Sequence, residues 1–389
     1  MVNDVVVVGA GPAGCWAAYG LARRGVRVTL VDGSHPREKP CGGGVTGRAL
    51  ALVSSTIDTR RVPVCSIRTA RFVDASERDA IVPLGDHTLV VAGRTEFDGA
   101  LLATAADAGA SIVRSRALDV MRDMQGFLVR TREGDIRALT VIGADGANSL
   151  VRRKLARPFD RADLSIATGF FVHGVSSDEI LIELVDDPPG YIWSFPRPTH
   201  LAVGICAQAD AGAGATQLRA KADAWIRKLG LATNGTLEPY SWPIPSLSPE
   251  SFRRLSVSGP GWLLTGDAAG LVDPVTREGI YFALLSGAWA ADAALDARGE
   301  TRYAERVREE IVADLIRAAE YKSRFFQPRF RRLFLESLRN SGKVRRVTGD
   351  LIAGEQPYSS LKWALLRTAE LGLAWRLVRS KWYNRRLKE

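Results

Sequence analysis

The stretch that decides the fold is "VVVVGAGPAGCWAAYGLARRGVRVTLVD", residues 5–32. Its β-branched start predicts a buried strand, its glycine-rich turn leads into a helix to about Arg24 that Gly25 ends, and a second strand from Val26 ends in Asp32. The glycines allow a tight turn and the close approach of a pyrophosphate to the helix amino end, while Asp32 can accept hydrogen bonds from a ribose. Strand, turn, helix and acid together predict a dinucleotide-binding unit.

The composition is typical of a globular chain with a large core. With 389 residues, of which 46% are hydrophobic, length alone suggests about two to three domains. "MVNDVVVVGAG", residues 1–11, has an acidic residue where a signal peptide carries positive charge, and its apolar run is too short to span a membrane. Cys15, Cys41, Cys65 and Cys206 are scattered, with no C-x-x-C pair and no histidine at zinc-ligand spacing. We therefore expect a cytoplasmic protein with no metal site and no disulfide.

The positive charge is concentrated towards the C-terminus. Residues 321–389 hold 17 Lys and Arg residues against 5 Asp and Glu residues, whereas the whole chain has a net charge of +10. Trp363, Trp375 and Trp382 are interleaved there with leucines and cations, a combination that suits the surface of an anionic bilayer. The leucines fall on most sides of a helix, which favours packing against the protein body instead. We expect one of these two roles, a peripheral contact at the inner membrane face or packing, and no binding of nucleic acid.

Strand-like runs outside the dinucleotide unit predict a second sheet. "IRTARFV" and "TLVVA" lie within residues 67–92, and "IATGFFVHG", "EILIELV", "GYIWSFP" and "HLAVGICA" lie within residues 161–257 and are typical of antiparallel strands. "RTEFDGALLATAADAG", residues 94–109, and "GIYFALLSGAWAADAAL", residues 279–295, predict helices. From Glu300 onward the chain is predicted to be helical and basic.

Three separated motifs carry a resemblance to a known family. "VVGAGPAGCWAAYGLARRG", "GADGANSLVRR" (143–153, predicted as the end of a strand and a turn) and "LLTGDAAGLVDPVTREGI" (263–280) resemble the fingerprints of the FAD-dependent oxidoreductases shaped like p-hydroxybenzoate hydroxylase. "KPCGGGVTGRAL", "RTEFDGALL" and "GYIWSFPRPTHLAVGI" narrow the resemblance to the geranylgeranyl reductase family. The motifs run from Val5 to about Gly287, so the basic tail lies outside the resemblance.

The resemblance implies an α/β fold with FAD as the cofactor. A Rossmann-like FAD-binding domain is expected to carry an inserted antiparallel-sheet substrate domain and to be followed by a helical C-terminal region. The expected boundaries are 1–66, 93–160 and 258–298 for the FAD-binding domain, 67–92 and 161–257 for the substrate domain, and 299–389 for the basic helical region. The electron donor stays open between NADPH, ferredoxin and others, because no second dinucleotide-binding unit is predicted: "GGGVTG", residues 42–47, has the G-x-G-x-x-G spacing but is not followed by a predicted helix with an acidic partner.

The motifs also imply which residues hold the cofactor. Asp267 is placed to accept hydrogen bonds from the ribityl hydroxyls, and the helix that begins at Gly279 offers N–H groups to the N1 and O2 side of the flavin. Arg94 matches a family arginine that reaches the cofactor, with a solvated cation at a helix end as the alternative. Arg277 departs from the family, which usually has a small residue there, so we expect a different backbone bend or a different access for the reductant. The predicted cofactor-binding set is Gly9, Gly11, Pro12, Ala13, Gly14, Asp32, Gly42, Gly43, Gly44, Arg94, Asp145, Gly146, Asp267, Pro274, Gly279 and Ile280.

"KPCGGGVTG", residues 39–47, admits three interpretations: a second phosphate loop, a metal or disulfide position, or bare backbone against a flat group. The first turn already supplies a phosphate loop, no helix with an acidic partner at its amino end is predicted here, and the cysteine has no metal or disulfide partner. We therefore predict that Gly42, Gly43 and Gly44 lie against the isoalloxazine ring. The resemblance places Cys41 beside the flavin as the candidate proton donor, with a small buried apolar residue as the alternative.

The run "YIWSFP", residues 191–196, puts Tyr191, Trp193 and Phe195 on one face of a strand. These rings form either a plain aromatic core stripe or the wall of a tunnel for a long polyprenyl chain. Such a chain binds by buried area and needs few polar contacts. The resemblance favours the tunnel and makes the three aromatics the predicted substrate-binding residues.

The function that the resemblance implies is reduction of carbon–carbon double bonds in an isoprenoid or other lipid-like substrate. Reduced flavin supplies a hydride, and a proton donor and a dry, shaped site are needed as well. Two alternatives stay open. A class A flavin monooxygenase or halogenase shares the fold, and a flavin-bound lipid carrier or scaffold would bind the same ligands without turnover.

Overall fold

Two large sheets and a set of C-terminal helices make up the chain. The computed structural model describes residues 3–58, 62–74, 79–232 and 235–368. Its strands are β1 Asn3–Val8, β2 Val28–Val31, β3 Gly44–Thr46, β4 Val64–Ser66, β5 Thr69–Phe72, β6 Ala80–Pro83, β7 Leu89–Ala92, β8 Ser111–Val113, β9 Ala117–Asp123, β10 Gly126–Thr131, β11 Gly134–Gly143, β12 Leu164–His173, β13 Ile180–Asp186, β14 Pro189–Pro196, β15 His200–Gln208, β16 Thr236–Pro245, β17 Ser258–Gly259 and β18 Trp262–Leu264. Its helices are α1 Pro12–Ala22, α2 Gly47–Val53, α3 Arg94–Asp107, α4 Leu150–Leu155, α5 Ala215–Lys228, α6 Pro249–Arg253, α7 Ile280–Ala293, α8 Gly299–Val307, α9 Ala313–Phe325, α10 Pro328–Asn340, α11 Gly342–Ile352 and α12 Tyr358–Arg367.

The first sheet contains the predicted dinucleotide unit. Its strands follow the order β17-β18-β11-β1-β2-β8, in which β18, β11, β1, β2 and β8 run parallel to one another and β17 runs antiparallel to β18. Strands β10 and β9 extend it from β11 by antiparallel pairing. The four valines of β1 are buried, as expected for a central strand of a parallel sheet that helices cover on both faces.

Glycines let the first turn and the neighbouring helices pack closely. Gly9 has a φ of +103°, and a Cβ added to it would lie 2.4 Å from the carbonyl oxygen of Ala144. A Cβ on Gly14 would lie 1.8 Å from the carbonyl oxygen of Gly9, and one on Gly287 would lie 2.4 Å from that of Ala13. Contacts this short exclude any side chain, so the turn that follows β1 can rest on the end of β11 and α1 can rest on α7.

The second sheet has the order β16-β12-β15-β14-β13-β5-β6. Its pairs are antiparallel, as predicted, except that β13 and β5 run parallel. Helix α5 covers one face with Leu218, Ala222, Trp225 and Ile226, while α10 and α11 pack against β6.

Two local features differ from the sequence expectations, and a third, at α2, agrees with them. The run "TLVVA" becomes β7, which pairs with β3 and β4 in a small sheet of its own rather than with the second sheet. The run "SLVRR" was predicted as a turn but forms α4, because the side chain of Ser149 accepts from Arg152 N and so caps the helix. Helix α2 follows "KPCGGGVTG", and its first turn contains no acidic residue. The domain boundaries themselves stay a prediction.

The C-terminal region is helical up to the last described residue, as predicted. Helices α8 and α9 are joined by a π-helical turn at Arg308–Val312, and α9 packs against α12. Among the described residues, no helix is both long enough and apolar enough to cross a bilayer. Trp375 and Trp382, on which the predicted membrane contact partly depends, lie outside the described residues, whereas Trp363 lies on α12 and is 63% exposed.

Candidate active site

A cavity of about 1330 Å³ brings together most of the predicted site residues. We call one part of it the cofactor end, lined by Gly9, Gly11, Pro12, Ala13, Asp32, Asp145, Gly146, Asp267, Gly279 and Ile280. The other part, the apolar end, is formed by the aromatic residues of β14 and by side chains of α9–α12. Cys41, Gly42, Gly43, Gly44 and Arg94 also line the cavity. Its volume exceeds the ~300–1,000 Å³ of an ordinary small-molecule pocket, so a dinucleotide and a second ligand have room side by side.

Two predicted residues lie outside the cavity wall. Gly14 supports the turn through its close packing against Gly9, and Pro274 is a buried residue of the segment that precedes α7. Gly11 precedes α1 without a side chain that could cap it. Within the described ranges, the N–H groups of Ala13 and Gly14 have no acceptor. Open N–H groups at a helix amino end suit a pyrophosphate, so this turn fits the predicted FAD.

Asp32 is held as a carboxylate at the end of β2. Its Oδ2 accepts from Ala10 N at 2.9 Å and lies 2.9 Å from His35 Nδ1, and its Oδ1 accepts from Ser34 N at 2.6 Å. Burial opposes ionisation, but the His35 ring and these N–H donors outweigh it and hold the pKa of Asp32 well below its usual range. A negatively charged acceptor therefore faces the cofactor end, where a ribose hydroxyl is expected.

Asp145, in the middle motif, forms hydrogen bonds within the protein. It accepts from Ser149 Oγ and from Leu150 N at 2.6 Å, so it fixes the start of α4, and burial raises its pKa. Arg152 donates from Nε to the carbonyl oxygen of Ala268 at 2.6 Å. The middle motif is thus bonded directly to the "GDAAG" motif, which the parallel pairing of β11 with β18 brings alongside it.

Asp267 lies near the beginning of α7, since a Cβ added to Gly279 would lie 3.4 Å from its Oδ1, and it has a partner that the sequence did not indicate. Lys39 Nζ lies 2.9 Å from Asp267 Oδ2. Helix α7 begins after Gly279. This residue has no side chain that could cap the first N–H groups of the helix. The one sequence signal for Lys39 is its place two residues before Cys41, in the motif that the resemblance already marks.

Cys41 receives hydrogen-bond donors from two buried arginines. Arg94 donates from Nη1 to Cys41 Sγ at 3.3 Å, and Arg197 donates to the Cys41 carbonyl oxygen at 2.7 Å with its Nη2 3.7 Å from the sulfur. Arg94 is 2% exposed and paired with Asp98, so it is not the solvated cation that was the alternative. Burial opposes the charge of Arg94, but Asp98 outweighs this and raises the pKa of Arg94.

Arg197 is a site residue that the sequence analysis missed. It follows "YIWSFP" directly, is fully buried, and forms an ion pair with Glu38. Burial lowers its pKa to about 10. Its position at the end of an aromatic strand gave no pattern of its own, and only the fold shows that it reaches back to Cys41.

The three glycines of "KPCGGGVTG" are packed against protein groups. A Cβ on Gly42 would lie 2.9 Å from Cγ of Phe195, and Gly43 has a φ of +80° with its added Cβ 2.5 Å from the Ala92 carbonyl oxygen. Gly44 faces the same Phe195 ring at 3.5 Å from its added Cβ. The contacts at Gly42 and Gly43 explain why no side chain fits at these two positions, whereas the distance at Gly44 is an ordinary van der Waals contact. The contact with the isoalloxazine ring stays a prediction.

The aromatic residues of β14 face helices that the sequence analysis did not connect with them. Tyr191, Trp193 and Phe195 all line the cavity, and Trp193 Nε1 is buried without a hydrogen-bond partner among the described residues. Apolar side chains of α9–α12 line the same cavity, namely Phe325, Phe330, Phe334, Val344, Val347, Leu351, Ile352, Leu361 and Leu365. The aromatic stripe is therefore not merely part of a closed core, because it borders a cavity.

Arg277 and Glu278 form the segment in front of α7. Arg277 has a φ of +63°, so it adopts the left-handed conformation that favours glycine. Glu278, which was not predicted, accepts from Thr46 Oγ1 at 2.7 Å and pairs with Arg48. Burial raises the pKa of Glu278 against the effect of Arg48.

Comparisons with known proteins agree with this geometry. Residues 3–213 match the family described as FAD binding domain. The chain is 32% identical over 358 residues to digeranylgeranylglycerophospholipid reductase of Methanothrix thermoacetophila, which covers 83% of this chain and 88% of that protein. The chain belongs to the geranylgeranyl reductase family of FAD-dependent oxidoreductases.

Two further proteins show the extent of the likeness to the geranylgeranyl reductase family. Menaquinone reductase of Mycolicibacterium smegmatis is 33% identical over 317 residues, 74% of this chain and 75% of that protein. The crystal structure of a geranylgeranyl bacteriochlorophyll reductase-like protein from Thermoplasma acidophilum superposes with a TM-score of 0.78 at 26% identity, covering 95% of this chain and 99% of that chain. The predicted family, the α/β fold with its second sheet and FAD as cofactor are confirmed, and the protein is an FAD-dependent oxidoreductase.

Proposed function

We propose that the protein reduces carbon–carbon double bonds in the isoprenoid chain of a lipid-like substrate. The observation that carries this proposal is the continuity of the cavity, in which the cofactor end opens into the apolar end. An isoprenoid chain binds by buried area and asks for few polar contacts, which is what β14 and α9–α12 offer. The relatives' names, which concern a menaquinone and a digeranylgeranyl lipid, support the same substrate class.

The residues of the cofactor end are assigned by their donors and acceptors. The N–H groups at the start of α1, after Gly11, are proposed to hold the pyrophosphate, and Asp32 the ribose. Asp267 is proposed to accept from the ribityl hydroxyls while Lys39 balances its charge. The amino end of α7 at Gly279 is proposed to face the flavin. Bound FAD supplies the hydride.

Reduction of an alkene also needs a proton and a dry site. The hydride goes to one carbon of the double bond, and we assign the proton on the other carbon to the thiol of Cys41. Loss of that proton leaves a negative sulfur, which the N–H groups of Arg94 and Arg197 would stabilise. Phe195 and the facing helices exclude water from the carbon that has to be protonated.

Anaerobic reoxidation of the flavin tests the function. The FAD-loaded protein is reduced with dithionite, so that neither NADPH nor ferredoxin is needed, and geranylgeranyl diphosphate is then added without oxygen. We expect the flavin to be reoxidised and the product to gain two hydrogens for each double bond by mass spectrometry. A monooxygenase or halogenase would stay reduced until oxygen is admitted, and a carrier or scaffold would leave the substrate unchanged in both cases.

We also propose that the cavity opens towards a membrane surface. Phe330 and Leu365 line the cavity and are 40% and 38% exposed, so they stand at its mouth. Trp363 and Leu366, on the same helix as Leu365, are 63% and 57% exposed. Exposed Trp, Phe and Leu beside cations such as Arg367 suit an anionic bilayer, from which an apolar substrate would enter.

Vesicle sedimentation tests the membrane contact. Wild type is expected to sediment with vesicles that contain anionic lipid and much less with zwitterionic ones, because cations at the mouth add to the apolar contact. Trp363→Glu should abolish sedimentation with the anionic vesicles. Leu139→Glu, a matched change at an exposed leucine of β11, should sediment like wild type. Equal sedimentation of the two variants would show that the mouth of the cavity does not contact the membrane.

A further inference from the structure

Arg277 adopts a backbone conformation that favours glycine. Its φ of +63° lies in the left-handed region, and it is the one non-glycine residue with a positive φ among the described residues. The Cβ of an L residue is disfavoured there by its contact with the following carbonyl group. Such strain persists where the surrounding structure holds the residue in place, and it is concentrated at functional sites.

The side chain of Arg277 meets a second cation. It donates from Nη1 to Ser246 Oγ and from Nη2 to Ser165 Oγ at 2.9 Å. Lys322 Nζ donates to the same Ser246 Oγ at 2.8 Å and to Gln208 Oε1 at 3.0 Å. Two cations therefore share one neutral hydroxyl. We call the two cations and the two serines the Arg277–Lys322 cluster.

Negative charge is missing from this cluster. In the part of the chain that the structure describes, neither cation has a carboxylate within ion-pair distance, and Asp163 and Asp210 act on Lys322 only from further away. Both oxygens of Asp273 are already taken by a tyrosine hydroxyl and by backbone N–H groups. Burial and then the charge of Arg277 lower the pKa of Lys322 to about 7, as expected when like charges are brought together away from water.

One hydrogen-bond donor of Arg277 has no acceptor among the described residues, and Arg277 borders the cavity. Its Nε is buried and has no hydrogen-bond partner within the described ranges. Arg277 and Tyr191 both line the cavity, and the neighbouring wall positions Ile244, Val275 and Tyr321 are apolar or aromatic. A buried donor of a charged side chain needs an acceptor, and a negative charge nearby stabilises it further; the free space at this point is the cavity itself.

We propose that the Arg277–Lys322 cluster is a head-group site, which binds the phosphate or diphosphate ester of the substrate. This proposal rests on the proposed function and deepens it by naming the chemistry of the head group. Tyr191 and Arg277 both line the cavity, and Phe195 packs on Gly42. Tyr191 and Phe195 are four positions apart on β14, which corresponds to about 13 Å of strand at about 3.3 Å per residue. An apolar chain can follow the aromatic wall towards Cys41 with its charged end at Arg277.

Direct anion binding tests the site without turnover. The FAD-loaded protein is titrated with inorganic pyrophosphate by calorimetry, so that the bound cofactor occupies its own pyrophosphate site. We expect Arg277→Gly to weaken binding ~10-fold or more because a charge-assisted contact is lost, and glycine suits the φ of +63°. Arg302→Ala removes an exposed cation elsewhere and should bind like wild type. Equal affinities of wild type and Arg277→Gly, or no binding by wild type, would overturn the proposal.

The nature of the ester is decided by comparing substrates. KM is measured in wild type and in Arg277→Gly for geranylgeranyl diphosphate, for a digeranylgeranyl phospholipid and for uncharged geranylgeraniol. A rise in KM confined to one phosphate ester supports the site and identifies its head group, whereas equal rises for ester and alcohol contradict it. The two proposals fail separately. If no isoprenoid is reduced, the proposed function is wrong, and the pyrophosphate titration alone decides the head-group site.

Discussion

At the cofactor end of the cavity Gly9, Gly11 and Gly279 bring backbone to the wall, whereas at the apolar end α9–α12 present phenylalanine, leucine and valine side chains. At Gly9 the close approach admits hydrogen alone, because an added Cβ would lie 2.4 Å from the Ala144 carbonyl oxygen, whereas at Gly11 and Gly279 an added Cβ would have no atom closer than 3.4 Å. An apolar wall accepts different side chains as long as volume and area are kept. Substitutions should therefore act in an all-or-none way at Gly9 and by degrees at the apolar end.

Charges also differ between the two regions. Beside the cofactor end, Asp267 pairs with Lys39 and Arg94 with Asp98, so each charge is balanced within the protein. Among the described residues, the Arg277–Lys322 cluster, at the border of the apolar end, has no such balance. Paired charges keep a site rigid in the absence of ligand, whereas an unpaired cation leaves room for a charge that the ligand brings.

The largest effect is expected from Gly9→Val at the cofactor end. The new Cβ would lie 2.4 Å from the Ala144 carbonyl oxygen at a φ of +103°, so the turn cannot keep its shape. We expect the purified protein to lose FAD, measured as the flavin absorbance per chain after gel filtration. Gly85→Val is the matched control, since Gly85 also has a positive φ but no atom within 4 Å of an added Cβ. Full FAD content in Gly9→Val would show that backbone contact does not define this end.

The next effect concerns the point where the two ends meet. Cys41→Ala should lower the rate of flavin reoxidation by about 10²-fold, the usual contribution of a positioned proton donor, while FAD stays bound. Cys65→Ala, at a cysteine on β4 outside the cavity, should leave the rate unchanged. Unaltered reoxidation in Cys41→Ala would make the cysteine a packing residue and would leave the proton to another group.

The two ends also differ in how far they could be predicted from sequence. Gly9, Asp32 and Asp267 were found because short motifs encode turns whose geometry depends on a few neighbouring residues. The wall of α9–α12 was missed because nothing local links Phe334 to β14, more than a hundred positions away, and only the packing of the chain brings them together. Arg197 was missed for the same reason, since its contact with the loop that precedes β3 is a long-range one.

A graded effect is expected from Phe334→Ala at the apolar end. The ring lies 5.5 Å from that of Phe72 and 5.2 Å from that of Phe325, and its loss removes part of the wall. At about 25 cal/mol per Å² this should cost ~1–2 kcal/mol, or roughly tenfold in the Kd of a geranylgeranyl substrate. Phe170→Ala is the control, because that ring packs towards the α5 side of the second sheet. Loss of FAD in Phe334→Ala would contradict the independence of the two ends.

The smallest effect is a pH dependence of stability that comes from Lys322. Its pKa falls from 10.5 to about 7 on folding. Between these values the unfolded chain holds a proton that the folded chain has lost, so stability rises with pH across this window. From pH 7 to 9 the free energy of unfolding of wild type, measured in urea, should rise by ~1–2 kcal/mol relative to that of Lys322→Met. The other charged or titratable groups that act on Lys322 are present in both proteins: Arg277, Cys206, Asp163 and Asp210. Parallel pH profiles of the two proteins would contradict the pKa shift. Pyrophosphate at Arg277 would supply the missing negative charge, so it should raise the pKa of Lys322 and shrink this gain.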